Sequence, residues 1–143
     1  MQSYAVVDIA KYVVTRCAVG GTPISNLKLQ KILYYIQCWY LKEKGYPAFN
    51  ERIEAWMHGP VIPKAYYYFC AFGATPITVE YPDITIMADD KQYIDAVVDD
   101  KKGIDVWRLV EDTHKPSGAW YCVYQGGRGN KQMITNDLIL QSE

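Results

Sequence analysis

Histidines, cysteines and carboxylates are the residues of this chain that could bind a metal or catalyse a reaction, and their spacing does not group them. The two histidines, His58 and His114, lie far apart, and no cysteine has a second one at the short spacing of a metal site. A nucleophile built from Cys70 or Cys122 with His114 is conceivable on paper. Each cysteine lies among aromatic and aliphatic residues, however, where a thiol usually fills space in a core. We therefore expect no metal, no cofactor and no catalytic residue.

Two further patterns have the composition of a site without its geometry. Asp89-Asp90 and Asp99-Asp100 are adjacent carboxylates, but adjacent side chains point apart on a helix, so we expect caps or solvated charges. The segment Gln125–Lys131 (QGGRGNK) lacks the strand–loop–helix order of a phosphate-binding loop and is predicted to be a mobile surface loop. Structural roles are also expected for His58, beside a Gly-Pro pair, and for His114, at a helix end.

The composition indicates an ordinary globular protein, because 50% of its 143 residues are hydrophobic and 22% are charged. A net charge of −1 gives no basic field, which argues against nucleic acid as the main ligand. No apolar run approaches the roughly 20 residues that cross a bilayer, and Asp8 and Lys11 interrupt the N-terminal apolar stretch. A cytoplasmic protein without membrane contact is predicted. Its four cysteines are then expected to be reduced core thiols: Cys17, Cys38, Cys70 and Cys122.

The element that must position the other residues is a long helix that ends near Lys44. Its apolar residues recur at steps of three and four: Leu29, Ile32, Leu33, Ile36 and Tyr40. Other apolar residues widen this stripe, which predicts a helix buried by several neighbours. Ser25 or Asn26 is placed to cap its start, and Gly45 is placed to end it in a left-handed turn.

The other elements are predicted to pack around this helix. The expected order is a helix over Tyr4–Cys17, a short extended piece over Ile53–Met57, a helix over Pro60–Phe72 that opens at His58-Gly59-Pro60, a hairpin or irregular loop over Gly73–Met87, a helix capped by Asp89 or Asp90 that runs to Asp100, a helix over Ile104–His114, and a C-terminal helical turn from Ile134 to Leu140. Residues 1–143 are thus predicted to form one domain, a compact helical bundle that is mainly α with a minor extended or hairpin element.

Two stretches, LKLQKILYYIQCWYLKEKG and EAWMHGPVIPKAYYYF, carry a more specific pattern. A helix bearing Leu, Lys, Leu and Tyr is followed by a Trp, a Gly-Pro-Val-x-Pro turn and a Tyr-bearing helix, and later by Thr-His and a Trp. With these features the chain resembles the Panacea domain family, which includes the SocA-like antitoxins and the phage-associated GepA-like proteins. The matching residues are Leu29, Lys31, Leu33, Tyr34, Trp56, Gly59, Pro60, Val61, Pro63, Tyr66, Thr113, His114 and Trp120. The resemblance extends from about Tyr4 to Leu140, with Ile32 where Leu is usual.

The resemblance implies a non-enzymatic antitoxin that neutralises a toxin encoded beside it, usually by direct protein–protein binding. In one SocA-like branch, the protein is instead a proteolytic adaptor that presents its toxin to a AAA+ protease. The toxins of the family are unrelated to each other, which implies a common scaffold with a variable surface. Two alternatives stay open: a small metal-dependent or Cys/His hydrolase, and a regulatory module that binds nucleic acid or a protease without any toxin.

The residues that match the family pattern are expected to serve mainly the fold, with Lys31 and Tyr34 open to either role. The two segments without a family pattern, Gly73–Met87 and Gln125–Lys131, are predicted to select the partner, because loops on a rigid scaffold commonly do so. Three consecutive tyrosines, Tyr66–Tyr68, cannot all face inward on one helix, so they either anchor an interface or pack against other helices. The candidate partner-binding residues are Tyr67, Tyr81 and Arg128.

Overall fold

The computed structural model describes residues 3–143, which are mainly helical with a small sheet. The helices are α1 (Val6–Val19), α2 (Asn26–Lys44), α3 (Pro63–Tyr68), α4 (Ala88–Lys101), α5 (Val106–Thr113), α6 (Ala119–Tyr124) and α7 (Asn136–Ser142), and the strands are β1 (Ile53–Trp56), β2 (Gly59–Val61) and β3 (Met133–Ile134). The strands form an antiparallel sheet in the order β2-β1-β3. This architecture confirms the predicted mainly α fold with a minor extended element. That the chain is one domain stays a prediction.

The predicted central helix is α2, and its sequence signals are confirmed at both ends. The Ser25 hydroxyl accepts a hydrogen bond from the Lys28 N–H at 3.3 Å. At the other end, Gly45 takes a left-handed φ of +77° and its N–H donates to the Tyr40 carbonyl. Because α1, α4, α5, α7 and β2 all pack against α2, nearly all of its apolar stripe is buried.

Polar side chains on α2 are also buried, and they bind the backbone of the segments that cross the helix. The Gln37 side-chain oxygen accepts the N–H groups of Ala48 and Phe49 at 2.9 and 3.2 Å, while its amide nitrogen donates to the Phe49 carbonyl at 2.8 Å. Gln30 accepts the Ile62 N–H at 3.0 Å in the same way. These side chains provide hydrogen-bond partners for backbone groups that form no such bond within a helix or sheet. Because both sides of each bond are satisfied, burial of the glutamines costs little free energy.

The stretch from Gly59 to Val61 is a strand, so the prediction that a helix begins at Pro60 was wrong. Gly59 takes a φ of +111°, and β2 pairs with β1 through Trp56↔Gly59, Ala55↔Pro60 and Glu54↔Val61. Pro60 fits there because β2 is an edge strand, where a missing N–H is tolerated. The helix begins instead at Pro63, which occupies the first turn.

Tertiary hydrogen bonds explain two other differences from the predicted elements. Tyr4 precedes α1, and its hydroxyl donates to Asp90 at 2.5 Å. The Tyr40 hydroxyl donates to the other Asp90 oxygen at 2.7 Å. Asp90 is therefore a buried acceptor in the first turn of α4 and neither it nor Asp89 is the cap, since the capping position is Met87.

The segment from Gly73 to Met87 is irregular and contains no hairpin. The Ile77 N–H donates to the Ile24 carbonyl at 2.8 Å, and the Tyr81 N–H donates to the Thr15 hydroxyl at 2.8 Å. These bonds fasten the segment to α1 and to the start of the central helix. The loop predicted to be mobile, Gln125–Lys131, is closed by backbone bonds such as Gly129 N–H to the Tyr124 carbonyl at 2.8 Å.

The cysteines are all free thiols, but they are not all core residues as predicted. Cys17 is buried and Cys38 is partly buried, whereas Cys70 and Cys122 are exposed. The two exposed positions lie where short helical turns face solvent, so an apolar sequence neighbourhood did not fix their burial. Among residues 3–143, no helix has both the length and the hydrophobicity needed to cross a membrane.

Candidate functional site

The structure brings residues from all three parts of the family pattern together at the inner face of the β1–β2 hairpin. Lys31 comes from the middle of α2, Gly59 and Pro60 from β2, and Thr113 from the end of α5. His114 and Trp120 lie beside them, at the end of α5 and in α6. We call these six residues the Lys31 centre.

Lys31 is fully buried, which is rare for a lysine. Its ammonium nitrogen donates to the Pro60 carbonyl at 3.0 Å. Burial lowers the pKa of Lys31 from 10.5 to about 7, because the charged form loses its hydration. Lys31 therefore links α2 to β2 by a hydrogen bond and by the packing of its long aliphatic stem.

Gly59 is the point at which the hairpin approaches Lys31 most closely. A Cβ at this position would lie 2.7 Å from the Thr113 hydroxyl oxygen and 2.9 Å from Lys31 Cε. The φ of +111° also belongs to the region that side chains disfavour. Both the space and the backbone conformation thus require glycine here.

His114 and Trp120 close the centre with a parallel stack. Their rings lie 3.7 Å apart at an angle of 1°, and the Trp120 indole N–H donates to the Trp56 carbonyl at 2.7 Å. His114 Nε2 is buried and has no hydrogen-bond partner among residues 3–143. Burial, and after it the electrostatic effect of the neighbouring Lys31 and His58, lowers the pKa of His114. His114 is therefore neutral at physiological pH and serves chiefly as a flat packing surface for Trp120.

The other residues of the family pattern lie in the core or at element ends. Leu29, Leu33 and Val61 are buried, and Pro63 opens α3. The Tyr34 hydroxyl donates at 2.8 Å to the Glu143 carboxylate, which also accepts the Ala119 N–H at 3.0 Å. Tyr34 thereby helps to fasten the end of α7 and the start of α6 to α2.

The outer face of the same hairpin and the adjoining α3 carry a group of partly or fully exposed side chains, which we call the aromatic surface: Trp56, Met57, His58, Tyr66 and Tyr67. The Trp56 ring meets Tyr66 edge-on at 5.0 Å and Tyr67 at 6.1 Å. Met57 is 61% exposed and Tyr67 is 58% exposed. Trp107 of α5, which is 54% exposed, adjoins the surface through His58 at 5.2 Å.

Strand alternation could have identified part of this surface from the sequence. Ile53 and Ala55 face the core, so Glu54 and Trp56 must face outward. In the Tyr66–Tyr68 run, Tyr67 and Tyr68 are exposed and Tyr66 is partly buried, so that the run serves as an interface anchor stays a prediction. Helical spacing placed Trp107 at the edge of its helix, beside the predicted inward residues Val106, Leu109 and Val110. Met57 was predicted in the extended piece but lies in the turn after β1, where strand alternation no longer applies.

The three candidate partner-binding residues do not come together. Tyr67 belongs to the aromatic surface, whereas Tyr81 is partly buried 6.3 Å from the Phe69 ring, with Lys11 at 5.3 Å from its own ring. Arg128 is exposed in the loop after α6. The two segments that contain Tyr81 and Arg128 nevertheless border the aromatic surface at other residues. Gly73 and Ala74 line a pocket of about 390 Å³ with Trp56 and Tyr66, and Lys131 Nζ lies 5.2 Å from the Trp56 ring.

The chemistry of both faces is that of hydrogen bonding and apolar contact. Within residues 3–143, no group of three or more His, Cys, Asp or Glu residues is placed to hold a metal ion. Burial raises the pKa of Cys38 to about 12, so this thiol stays protonated at neutral pH.

Comparison with known proteins gives one family and one relative. The family model described as "Antitoxin SocA-like, Panacea domain" matches residues 29–121, a stretch that contains the whole Lys31 centre and the aromatic surface. Over 65 residues the chain is 43% identical to antitoxin SocA of Caulobacter vibrioides (strain NA1000 / CB15N). Those residues make up 46% of this chain and 35% of that protein. No solved structure gave a significant match.

Proposed function

The chain belongs to the SocA-like antitoxin family of Panacea domains, and we propose that it neutralises a cognate toxin by binding it directly, without catalysing a reaction. The observation that supports this proposal most is the aromatic surface. Because the match to SocA covers about a third of that protein, the mode of action is inferred from the surface of this chain. We further propose that the encounter occurs in the cytoplasm.

The aromatic surface has the composition of a protein-binding hot spot. Tyrosine and tryptophan dominate such sites, because their rings bury a large area and lose little conformational entropy on binding. Met57 adds a flexible apolar side chain that adapts to a partner. Three large side chains more than half exposed around one hairpin, namely Met57, Tyr67 and Trp107, form the kind of patch that marks an interaction site.

The Lys31 centre supports this role by holding the hairpin in place. Lys31 and Gly59 fix the inner face of β2, and Trp120 holds the end of β1 through the Trp56 carbonyl. A surface that is ordered before binding loses less entropy when the partner docks. The buried centre therefore contributes to affinity without touching the toxin.

The test is co-expression of the chain with the product of the gene beside its own, followed by a growth assay and co-purification. We expect growth to be rescued and a stable complex to be recovered. Rescue accompanied by disappearance of the second protein would favour the proteolytic adaptor, in which a AAA+ protease completes the neutralisation. Neither rescue nor a complex would contradict the proposed function.

A further inference from the structure

We propose that the aromatic surface recognises an apolar face of the toxin that carries carboxylates on one side, opposite Lys64 and Lys131. This inference rests on the proposed function and adds the chemistry of the partner. The positive charge comes from two lysines beside the aromatic rings. Lys131 Nζ lies 5.2 Å from the centre of the Trp56 ring, and Lys64 precedes Tyr67 by three residues on α3 and so shares its face.

Some cations of the chain are neutralised by ion pairs within the fold. Arg16 binds Asp99 at 2.7 Å and Lys102 binds the same carboxylate at 3.2 Å. Lys64 and Lys131 form no ion pair with any residue from 3 to 143. The carboxylate nearest to the aromatic rings, Glu54, is already bound by Arg52 at 2.7 Å and by the Trp56 indole N–H at 2.9 Å.

The charge of the surface is therefore uneven, although the whole chain has a net charge of −1. On the α5 side carboxylates outnumber the exposed Arg108: Asp105 accepts the Trp107 N–H at 3.1 Å, and Glu111 follows Trp107 by one turn. The α3 side and the Lys131 side are positive. A partner with matching charges would place its carboxylates against the two lysines, which fixes its orientation as well as its composition.

Lys131 is held in a conformation that a lysine does not favour. Its φ is +66°, and its N–H donates to the Ala55 carbonyl of β1 at 2.6 Å. A left-handed conformation costs a side-chain-bearing residue about 1 kcal/mol more than it costs glycine. Glycine would suit this backbone better, so the lysine must be favoured by what its side chain does, which is to place a cation over the Trp56 ring at the edge of the aromatic surface.

A protein partner fits these features better than a nucleic acid. Nucleic acid binding depends on the neutralisation of several phosphates, which requires a field of cations. Here two unpaired lysines flank a larger apolar area, as at a protein interface with a hydrophobic centre and a charged rim.

The test measures the affinity of the purified chain for the toxin identified by co-expression, at about 0.05 M and about 0.5 M salt. The variant carries Lys64→Glu and Lys131→Glu. The matched control carries Lys44→Glu and Lys91→Glu, which reverse two exposed lysines that also lie over aromatic rings, those of Tyr93 and Tyr12. We expect the variant to bind roughly 10- to 100-fold more weakly at low salt and the control to change by about twofold at most. High salt should shrink the difference between them.

A second variant, Lys131→Gly, guards against a folding artefact. It removes the cation and relieves the left-handed strain, so its unfolding midpoint should stay the same or rise while its affinity for the toxin falls.

The outcomes separate the inference from the function on which it rests. A complex that is unaffected by the two reversals but weakened by Tyr67→Ala would overturn the acidic partner and leave direct binding intact. Equally strong binding of a DNA duplex of about 20 base pairs, lost in the same variant, would overturn it in favour of nucleic acid. Failure of the unaltered chain to bind the toxin would overturn both proposals.

Discussion

The two faces of the β1–β2 hairpin share one short segment of sequence and have opposite surroundings. On the inner face, Gly59 and Pro60 lie against the fully buried Lys31, with no room for one more carbon atom. On the outer face, Met57 and the adjoining Tyr67 of α3 are more than half exposed. The comparison indicates that residues close together in the chain can have different roles: those on the inner face stabilise the fold, and we propose that those on the outer face bind the partner. Changes on the inner face should alter stability, and changes on the outer face should alter binding.

The largest effect on stability is expected from Gly59→Ala. The new methyl group would overlap Thr113 and Lys31, and the backbone would have to leave its φ of +111°, so we expect a loss of about 3 kcal/mol or more in the free energy of unfolding. Gly126→Ala is the matched control, because Gly126 has an ordinary left-handed conformation (φ +65°, ψ +20°) and nothing lies within 4 Å of the new Cβ. It should cost about 1 kcal/mol. Equal urea midpoints for the two variants would contradict the close packing of the inner face.

Because of the buried Lys31, the free energy of unfolding of the chain should depend on pH in the neutral to alkaline range. Its pKa is about 7 in the folded chain and 10.5 in the reference state, so the unfolded chain binds more protons between these values. Stability should therefore rise as the pH increases from 7, by up to about 1.4 kcal/mol per pH unit.

The control for this prediction is Lys31→Met, which keeps the aliphatic length and removes the titrating group. Urea unfolding of both proteins between about pH 7 and about pH 9.5 tests the difference, because the unfolded chain holds a proton on Lys31 across this range. The upper limit avoids tyrosines such as Tyr4, whose pKa is raised to about 12 by burial and by its hydrogen bond to Asp90, and which destabilise the fold above about pH 10. Parallel profiles for the two proteins would show that Lys31 does not titrate there.

A smaller effect is expected at His114. His114→Phe keeps the stack on Trp120 and removes the buried Nε2 that has no partner, so the free energy of unfolding should rise by about 1 kcal/mol at neutral pH. The pKa of His114 is lowered in the fold, so the unfolded chain binds the proton first as the pH falls through 6.5, and stability is lost there. The difference in the free energy of unfolding between the two proteins should widen below that pH.

His114→Ala, which loses the stack as well, should instead be destabilised by about 2 kcal/mol. If the Phe variant had as low a free energy of unfolding as the Ala variant, the result would contradict the prediction and would show that His114 Nε2 forms a stabilising hydrogen bond.

The smallest effect is expected from modification of the cysteines, because modification of exposed thiols should leave the free energy of unfolding unchanged. Cys70 and Cys122 are exposed, Cys17 is buried, and burial raises the pKa of Cys38 to about 12. A thiol reagent added to the folded chain at neutral pH should modify Cys70 and Cys122 quickly and the other two slowly. Rapid modification of Cys38, detected by mass spectrometry of the peptides, would contradict the burial that raises the pKa of this thiol.

The sequence predicted the elements whose signals are local. The spacing of Leu29, Ile32 and Ile36, with Ser25 before and Gly45 after, identified α2 and both of its ends. The strand at Gly59–Val61 was missed because a Gly-Pro pair is also a common helix entry, and only pairing with β1 decides between the two.

The parts that depend on distant residues were not predictable in the same way. In the sequence, Asp90 has the position of a helix cap. In the fold it accepts hydrogen bonds from the Tyr4 and Tyr40 hydroxyls, which lie far from it in the sequence. Lysines are normally solvated, so nothing in the local pattern indicated that Lys31 is fully buried. The residue types of the Lys31 centre were identified through the family pattern, but their meeting at the inner face of the hairpin required the fold.

The most direct test of the whole account is the affinity for the toxin of a chain that carries Met57→Ala and Tyr67→Ala. Both side chains are exposed, so the free energy of unfolding should change by no more than about 0.5 kcal/mol for each. Affinity should fall by at least tenfold, or about 1.4 kcal/mol. Tyr121→Ala on α6, where the side chain is 53% exposed, is the matched control and should bind normally. Normal binding by the double variant, with the fold intact, would contradict the claim that the outer face of the hairpin binds the toxin.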